Sequence, residues 1–87
     1  MIKLYGSDKC EKCQDLKGIL DSNKINYEYI DITDSIKNLK EFIYLRDANP
    51  QIFNEAKKYK GIGIPAIITE DNKIILDWRK YLATLLS

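Results

Sequence analysis

The chain has 87 residues, 45% of them hydrophobic, with fourteen basic and thirteen acidic side chains and a net charge of +1. That size suits one small domain over residues 1–87, with just enough apolar residue to pack a core. The balanced charge gives no basic excess that argues for nucleic acid and no acidic tail that argues for a solvating segment. Histidine is absent, which removes a Cys-His catalytic pair and the commonest metal ligand. No apolar run approaches the roughly 20 residues of a membrane span, and the N-terminus enters a strand without a signal-peptide pattern. A cytoplasmic monomer, without membrane or nucleic-acid partners, is the expectation.

Met1-Ile2-Lys3-Leu4-Tyr5 reads as a short strand with Ile2 and Leu4 on one face. Gly6 to Lys9 breaks it. Cys10 and Cys13, both cysteines of the chain, follow at C-x-x-C spacing, with Leu16, Ile19 and Leu20 continuing a helical stripe from Cys13. Cys10 is thus expected at the first turn of a helix, where unpaired N–H groups favour a thiolate; Lys9 and Lys12 add positive charge. Residues three apart on a helix have Cβ atoms about 5–6 Å apart, close to disulfide geometry. Cys10 is read as the attacking thiol and Cys13 as the resolving one. A chance pair or half of a zinc site is the bland alternative, but zinc usually takes four protein ligands and only two thiols are present.

Asp21 to Lys24 is a polar break, and Ile25 to Ile32 alternates as a second strand, with Tyr27, Tyr29 and Asp31 on one face and Ile30 and Ile32 on the other. A strand, helix and strand of these lengths make a parallel βαβ unit. Thr33-Asp34-Ser35 offers helix caps, and Ile36, Leu39, Phe42 and Ile43 form the next stripe. Asn49-Pro50 starts another helical segment, with Ile52, Phe53, Ala56 and Tyr59 expected inward and Lys57-Lys58-Tyr59-Lys60-Gly61 closing it. Ala66 to Thr69 reads as a strand, Glu70 to Lys73 as a turn, and Ile74 to Leu76 as the antiparallel partner. Asp77 caps a last helix carrying Trp78, Tyr81, Leu82 and Leu85. Tyr5, Tyr27, Tyr29 and Trp78 are expected in or beside the core.

Tyr5 to Cys13 followed by an amphipathic helix resembles the start of a glutaredoxin-like protein of the thioredoxin superfamily. Gly61-Ile62-Gly63-Ile64-Pro65-Ala66-Ile67-Ile68 resembles the family segment in which a cis-proline precedes a strand and faces the redox cysteines. Tyr27 to Ile32 looks like the family's second strand. The resemblance implies an α/β, thioredoxin-like (glutaredoxin-type) fold, β-α-β-α-(α)-β-β-α, with a mixed four-stranded sheet flanked by helices.

It also implies a dithiol-disulfide oxidoreductase acting on protein or small-molecule disulfides through Cys10 and Cys13. Ile64 and Pro65, with Lys9 and Lys12, would bind the substrate; peptide groups of Ile64 turned outward could pair with an extended chain. No metal and no tightly bound cofactor are implied, and glutathione or a thioredoxin reductase would be the electron donor. The chain departs from the family where glutathione is held. Glu11 and Lys12 stand between the cysteines where Pro-Tyr is typical, Ser7 replaces a frequent lysine, and Gly63-Ile64 replaces threonine-valine. The Gly-Gly pair and aspartate have no match, and the bulky Ile75-Leu76-Asp77 lies there instead. These differences tilt the expectation toward a protein reductant, as in the small redoxins that serve ribonucleotide reductase. Two other readings remain open: a metal or iron–sulfur cluster shared by two chains through their cysteines, and a partner-binding domain without turnover.

Overall fold

Successive side chains point to opposite faces of four short strands, and apolar residues on both faces let one sheet carry helices on each. The computed structural model describes residues 1–87 and runs β1 (Ile2–Gly6), α1 (Glu11–Ser22), β2 (Tyr27–Asp31), α2 (Ile36–Ala48), α3 (Pro50–Lys58), β3 (Ala66–Ile68), β4 (Ile74–Ile75) and α4 (Trp78–Leu85). The sheet order is β2-β1-β3-β4. β1 is parallel to β2 and antiparallel to β3, and β3 is antiparallel to β4. This is the mixed four-stranded sheet expected from the element order. No helix is long and apolar enough to cross a membrane.

Side-chain alternation sorts the core into two clusters. Ile2 and Leu4 of β1 and Ile67 of β3 pack with Leu16 and Leu20 of α1 and Trp78 and Leu82 of α4. Tyr5, Ile30 and Ala66 face the other way and pack with Phe42 of α2 and Phe53 of α3. The molecule is therefore three layers, with α1 and α4 over one face and α2 and α3 under the other. Phe42 and Phe53 meet edge to face with ring centroids 5.8 Å apart. Both rings are fully buried, and removing a ring so placed costs about 3–5 kcal/mol in comparable cores. Tyr5 is buried with its hydroxyl donating to Glu41 Oε1 at 2.9 Å; Tyr27 and Tyr29 are half-buried, as expected of core-edge residues.

Five residues expected to face inward do not. Ile36, Ile43, Tyr59 and Leu85 are exposed, and Ile19 lies at the margin of its stripe. The helical wheel explains α2 and α3. At about 100° per residue, Ile36 and Ile43 point about a third of a turn from Phe42, as Tyr59 does from Phe53. The buried face of α2 is centred on Phe42, with Leu39 and Leu45 packed beside it.

Two helix ends close with lysine in the left-handed position. α3 does not stop on glycine: Lys60 takes the left-handed position (φ 60°), its N–H donating to the Lys57 carbonyl while Gly61 N–H donates to that of Ala56. α1 ends likewise, with Lys24 at φ 56° and Ile25 N–H reaching back to Leu20. Each is a Schellman closure with lysine where glycine is usual.

Candidate active site

β1 ends at Gly6, and the chain turns through Ser7, Asp8 and Lys9 before α1 begins. Cys10 is the N-cap of that helix, in extended conformation (φ −106°, ψ 115°). Its sulfur takes the role that a serine or aspartate oxygen usually plays, accepting the N–H of Cys13 at 3.3 Å. Cys13 lies in the first turn and is fully buried, whereas Cys10 is partly exposed. Both are free thiols, and Cys13 Sγ donates to Cys10 Sγ at 2.6 Å. A disulfide needs about 2.05 Å, so a slight adjustment within one helical turn closes the pair.

The two sulfurs differ chemically. Burial pushes the Cys13 thiol up to about 12, helped by its hydrogen bond to the Cys10 sulfur and by negative charge on Cys10 and Asp31. The Ser7 backbone N–H alone works the other way. Cys13 thus keeps its proton at neutral pH, and the accessible Cys10 is the sulfur presented to solvent.

Hydrogen bonds from α1, β2 and the turn after β2 hold the loop before Cys10. Ser7 is 3% exposed; its carbonyl accepts Cys10 N–H at 3.0 Å and Gln14 Nε2 at 3.0 Å. Its hydroxyl accepts Lys9 N–H at 3.1 Å and meets Thr33 Oγ1 at 2.9 Å. Thr33 Oγ1 donates in turn to Asp31 Oδ1 at 2.6 Å. Asp31 is held below the usual carboxylate range, first by that hydroxyl and then by the N–H groups of Thr33 and Asp8 and the charge of Lys17. Tyr29 OH donates to Asp8 Oδ1 at 3.0 Å, and Lys17 Nζ lies 3.9 Å from the centre of the Tyr29 ring and 3.6 Å from Asp8.

Ile64 and Pro65 stand at the same end of the sheet. Tyr5 pairs with Ala66 in the antiparallel β1–β3 ladder, so the residues just after Tyr5 and just before Ala66 lie side by side. The Ile64–Pro65 bond is cis. Pro65 is buried, the side chain of Ile64 packs partly on the Phe42–Phe53 cluster, and neither peptide group of Ile64 has a hydrogen-bond partner within the chain. Arg46 of α2 fixes the loop by donating from Nη1 to the Ile62 carbonyl at 3.0 Å. That is a structural task.

Lys9 and Lys12 flank Cys10, exposed and without an ion pair, and Lys9 contributes through its backbone N–H. Asp31 influences Cys13 by charge and anchors the loop as an ionised carboxylate; Asp77 caps α4 through the Lys80 N–H at 3.3 Å. The largest surface cleft is lined by Met1, Ile2, Ile25 and Tyr81, at the far end of β1 from the cysteines. The roles of Ser7, Gln14, Tyr29 and Thr33 are absent from a motif-based reading. A signal for them exists in the parallel β1–β2 pair: Gly6 stands opposite Asp31, so Ser7 and Thr33 both lie just past the same end of adjacent strands.

A family model for glutaredoxin matches residues 2–74. An uncharacterized protein of Haemophilus influenzae (strain ATCC 51907 / DSM 11121 / KW20 / Rd) is 31% identical over 77 residues, covering 88% of each chain. The crystal structure of the glutaredoxin from Methanosarcina mazei Go1 aligns with a TM-score of 0.65 at 18% identity, over 97% of this chain and 76% of that one, a likeness of fold. The family match spans both the cysteine pair and the Ile64–Pro65 turn, and on that ground the chain belongs to the glutaredoxin family.

Proposed function

We propose that this protein is a dithiol-disulfide oxidoreductase that reduces protein or small-molecule disulfides through Cys10 and Cys13, working in the cytoplasm as a monomer without a tightly bound cofactor. One observation carries the reading: a partly exposed Cys10 sulfur set 2.6 Å from a fully buried thiol that keeps its proton. Cys10, as thiolate, attacks one sulfur of the substrate disulfide, forming a mixed disulfide and releasing the first substrate thiolate. Cys13 then gives up its proton and attacks Cys10 Sγ, forming the Cys10–Cys13 disulfide and releasing the second thiolate. Two electrons pass from the protein to the substrate, and the leaving thiolates take up the protons.

Ile64 and Pro65 are the substrate clamp in this reading. The unpartnered N–H and C=O of Ile64 can accept an extended segment as an added strand beside the cysteines. The lysines at 9 and 12 attract an anionic substrate group. Ile75 and Leu76 favour a protein reductant such as thioredoxin reductase over glutathione. Each is packed against a different core cluster, and the close backbone approach that a glycine pair would give glutathione is lost where bulky residues stand instead.

The burial of Cys13 behind Cys10 disfavours a metal or cluster held by both sulfurs of each chain. The deciding experiment follows turnover of a small disulfide with NADPH and either glutathione plus glutathione reductase or thioredoxin reductase alone. Turnover is expected with thioredoxin reductase and is expected to vanish in Cys10→Ser. Silence with both reductants, and with a protein disulfide as substrate, would sink the assignment.

A further inference from the structure

The hydroxyl groups of Ser7 and Thr33 have a fixed direction. Each carries one proton. Thr33 donates its own to Asp31 Oδ1 at 2.6 Å, so in the 2.9 Å contact between the hydroxyls Ser7 is the donor and Thr33 the acceptor. Ser7 Oγ also accepts the Lys9 N–H. A directed chain therefore runs from the Lys9 N–H through Ser7 and Thr33 to the Asp31 carboxylate, and every link polarises the next.

The peptide of Ser7 connects this chain to both cysteines. Its carbonyl accepts the Cys10 N–H. The backbone just before it lies against the other sulfur, since a Cβ built on Gly6 would stand 3.1 Å from Cys13 Sγ. The Ser7 N–H eases formation of the Cys13 anion, the species that must appear in the second step of disulfide exchange. Ser7 is itself buried, so its hydroxyl is committed to this one arrangement.

We infer that Ser7 and Thr33 are positioning residues for the resolving step, holding the Ser7 peptide against the Cys13 sulfur through the Asp31 anchor. The inference rests on the redox reading above and names a part of the chain that acts on only one of its two steps. The donors to the Cys10 sulfur, the Cys13 N–H and the Cys13 thiol, lie outside the hydroxyl chain.

An aromatic disulfide whose thiolate product is coloured separates the steps, with reduced protein in excess. Attack by Cys10 releases one thiolate at a rate proportional to protein concentration. Attack by Cys13 on Cys10 Sγ releases the second at a rate independent of it. Thr33→Val keeps shape and removes the hydroxyl at an exposed position, Ser7→Ala removes the other hydroxyl, and Thr33→Ser restores the bond. The second phase should slow about tenfold in Thr33→Val and Ser7→Ala, the loss expected from one oriented hydrogen bond. The first phase should stay within about twofold, and Thr33→Ser should match the parent. Thermal melts of all three verify that each is folded. An unchanged second phase in folded Thr33→Val, or a Thr33→Ser protein as slow as Thr33→Val, overturns the inference. A parent protein that releases no thiolate overturns the redox reading and this with it.

Discussion

The ring of Phe53 fills the space that a side chain on Gly63 would need: a Cβ there would lie 2.6 Å from Phe53 Cδ1. Gly63 also has φ +102°, a backbone conformation that other residues seldom adopt. The loop that carries Ile64 to the site thus depends on a missing methyl group. Gly63→Ala is expected to destabilise the protein by about 2–4 kcal/mol, combining backbone strain with overpacking of a buried ring. A urea titration should show the midpoint falling accordingly, and an unchanged midpoint would contradict the packing described.

The two Schellman closures predict the opposite sign. Lys24 and Lys60 have left-handed conformations that cost an L-residue about 1–2 kcal/mol. Part of that is offset because glycine loosens the unfolded chain. Lys24→Gly and Lys60→Gly should each stabilise by about 0.5–1 kcal/mol. Denaturant midpoints of the single and double variants check both size and additivity; a loss of stability in both would be the wrong sign.

Alkylation should distinguish the cysteines. With Cys13 buried and its thiol near 12, the Cys13→Ser protein is expected to react with iodoacetamide at pH 7 at least about a hundredfold faster than Cys10→Ser. Mass spectrometry over time reads both rates. Comparable rates would mean that Cys13 is neither shielded nor held neutral.

The alkaline limb of stability follows from four raised groups. Cys13 and Tyr27 are each pushed up to about 12, and Tyr5 and Tyr29 are also raised, all with burial as the first cause. The native state holds these protons more tightly than the unfolded chain. Their stabilisation is complete below the unfolded values of about 8.5 for cysteine and 10 for tyrosine, and is lost as pH climbs toward the folded ones. Asp31 has the reverse sign, its contribution present above about pH 4 and lost as pH falls through its lowered folded value. Urea midpoints from pH 3 to 11 should therefore fall at both ends. Cys13→Ser should flatten the alkaline limb and Asp31→Asn the acid one; unchanged limbs would assign them to other groups.

Local pattern made the element order legible, because β1 and β2 alternate and three of the four helices start at a serine, asparagine or aspartate. The cysteine pair and the Ile64–Pro65 turn were legible for the same reason: their chemistry lies within a few consecutive residues. Ile36, Ile43 and Tyr59 show where pattern misleads. An apolar residue a third of a turn from the true contact line looks inward until the position of Phe42 or Phe53 against the sheet is known. Lys60 and Lys24 hide their left-handed conformations because lysine carries no sign of them. The Ser7–Thr33–Asp31 chain was the least legible part, since Ser7 and Thr33 are brought together by strand register across 26 residues. Ser7 alone looks like an ordinary loop serine.

The sheet order has a consequence for how the chain is made. Of the four strands, β1 leads in the chain and is central in the sheet, and its second partner begins only at Ala66, some sixty residues later. A nascent chain ending after α3 has β1 paired with β2 on one edge and bare on the other, with Phe42 and Phe53 lacking the cover of Ala66. Such an open edge invites other chains to pair with it. Of the three strand pairings, the one that seals it is the most distant along the sequence, so it pays the greatest loop-closure entropy and forms late. Shelter from crowded neighbours therefore matters most in the interval between emergence of α3 and docking of β3.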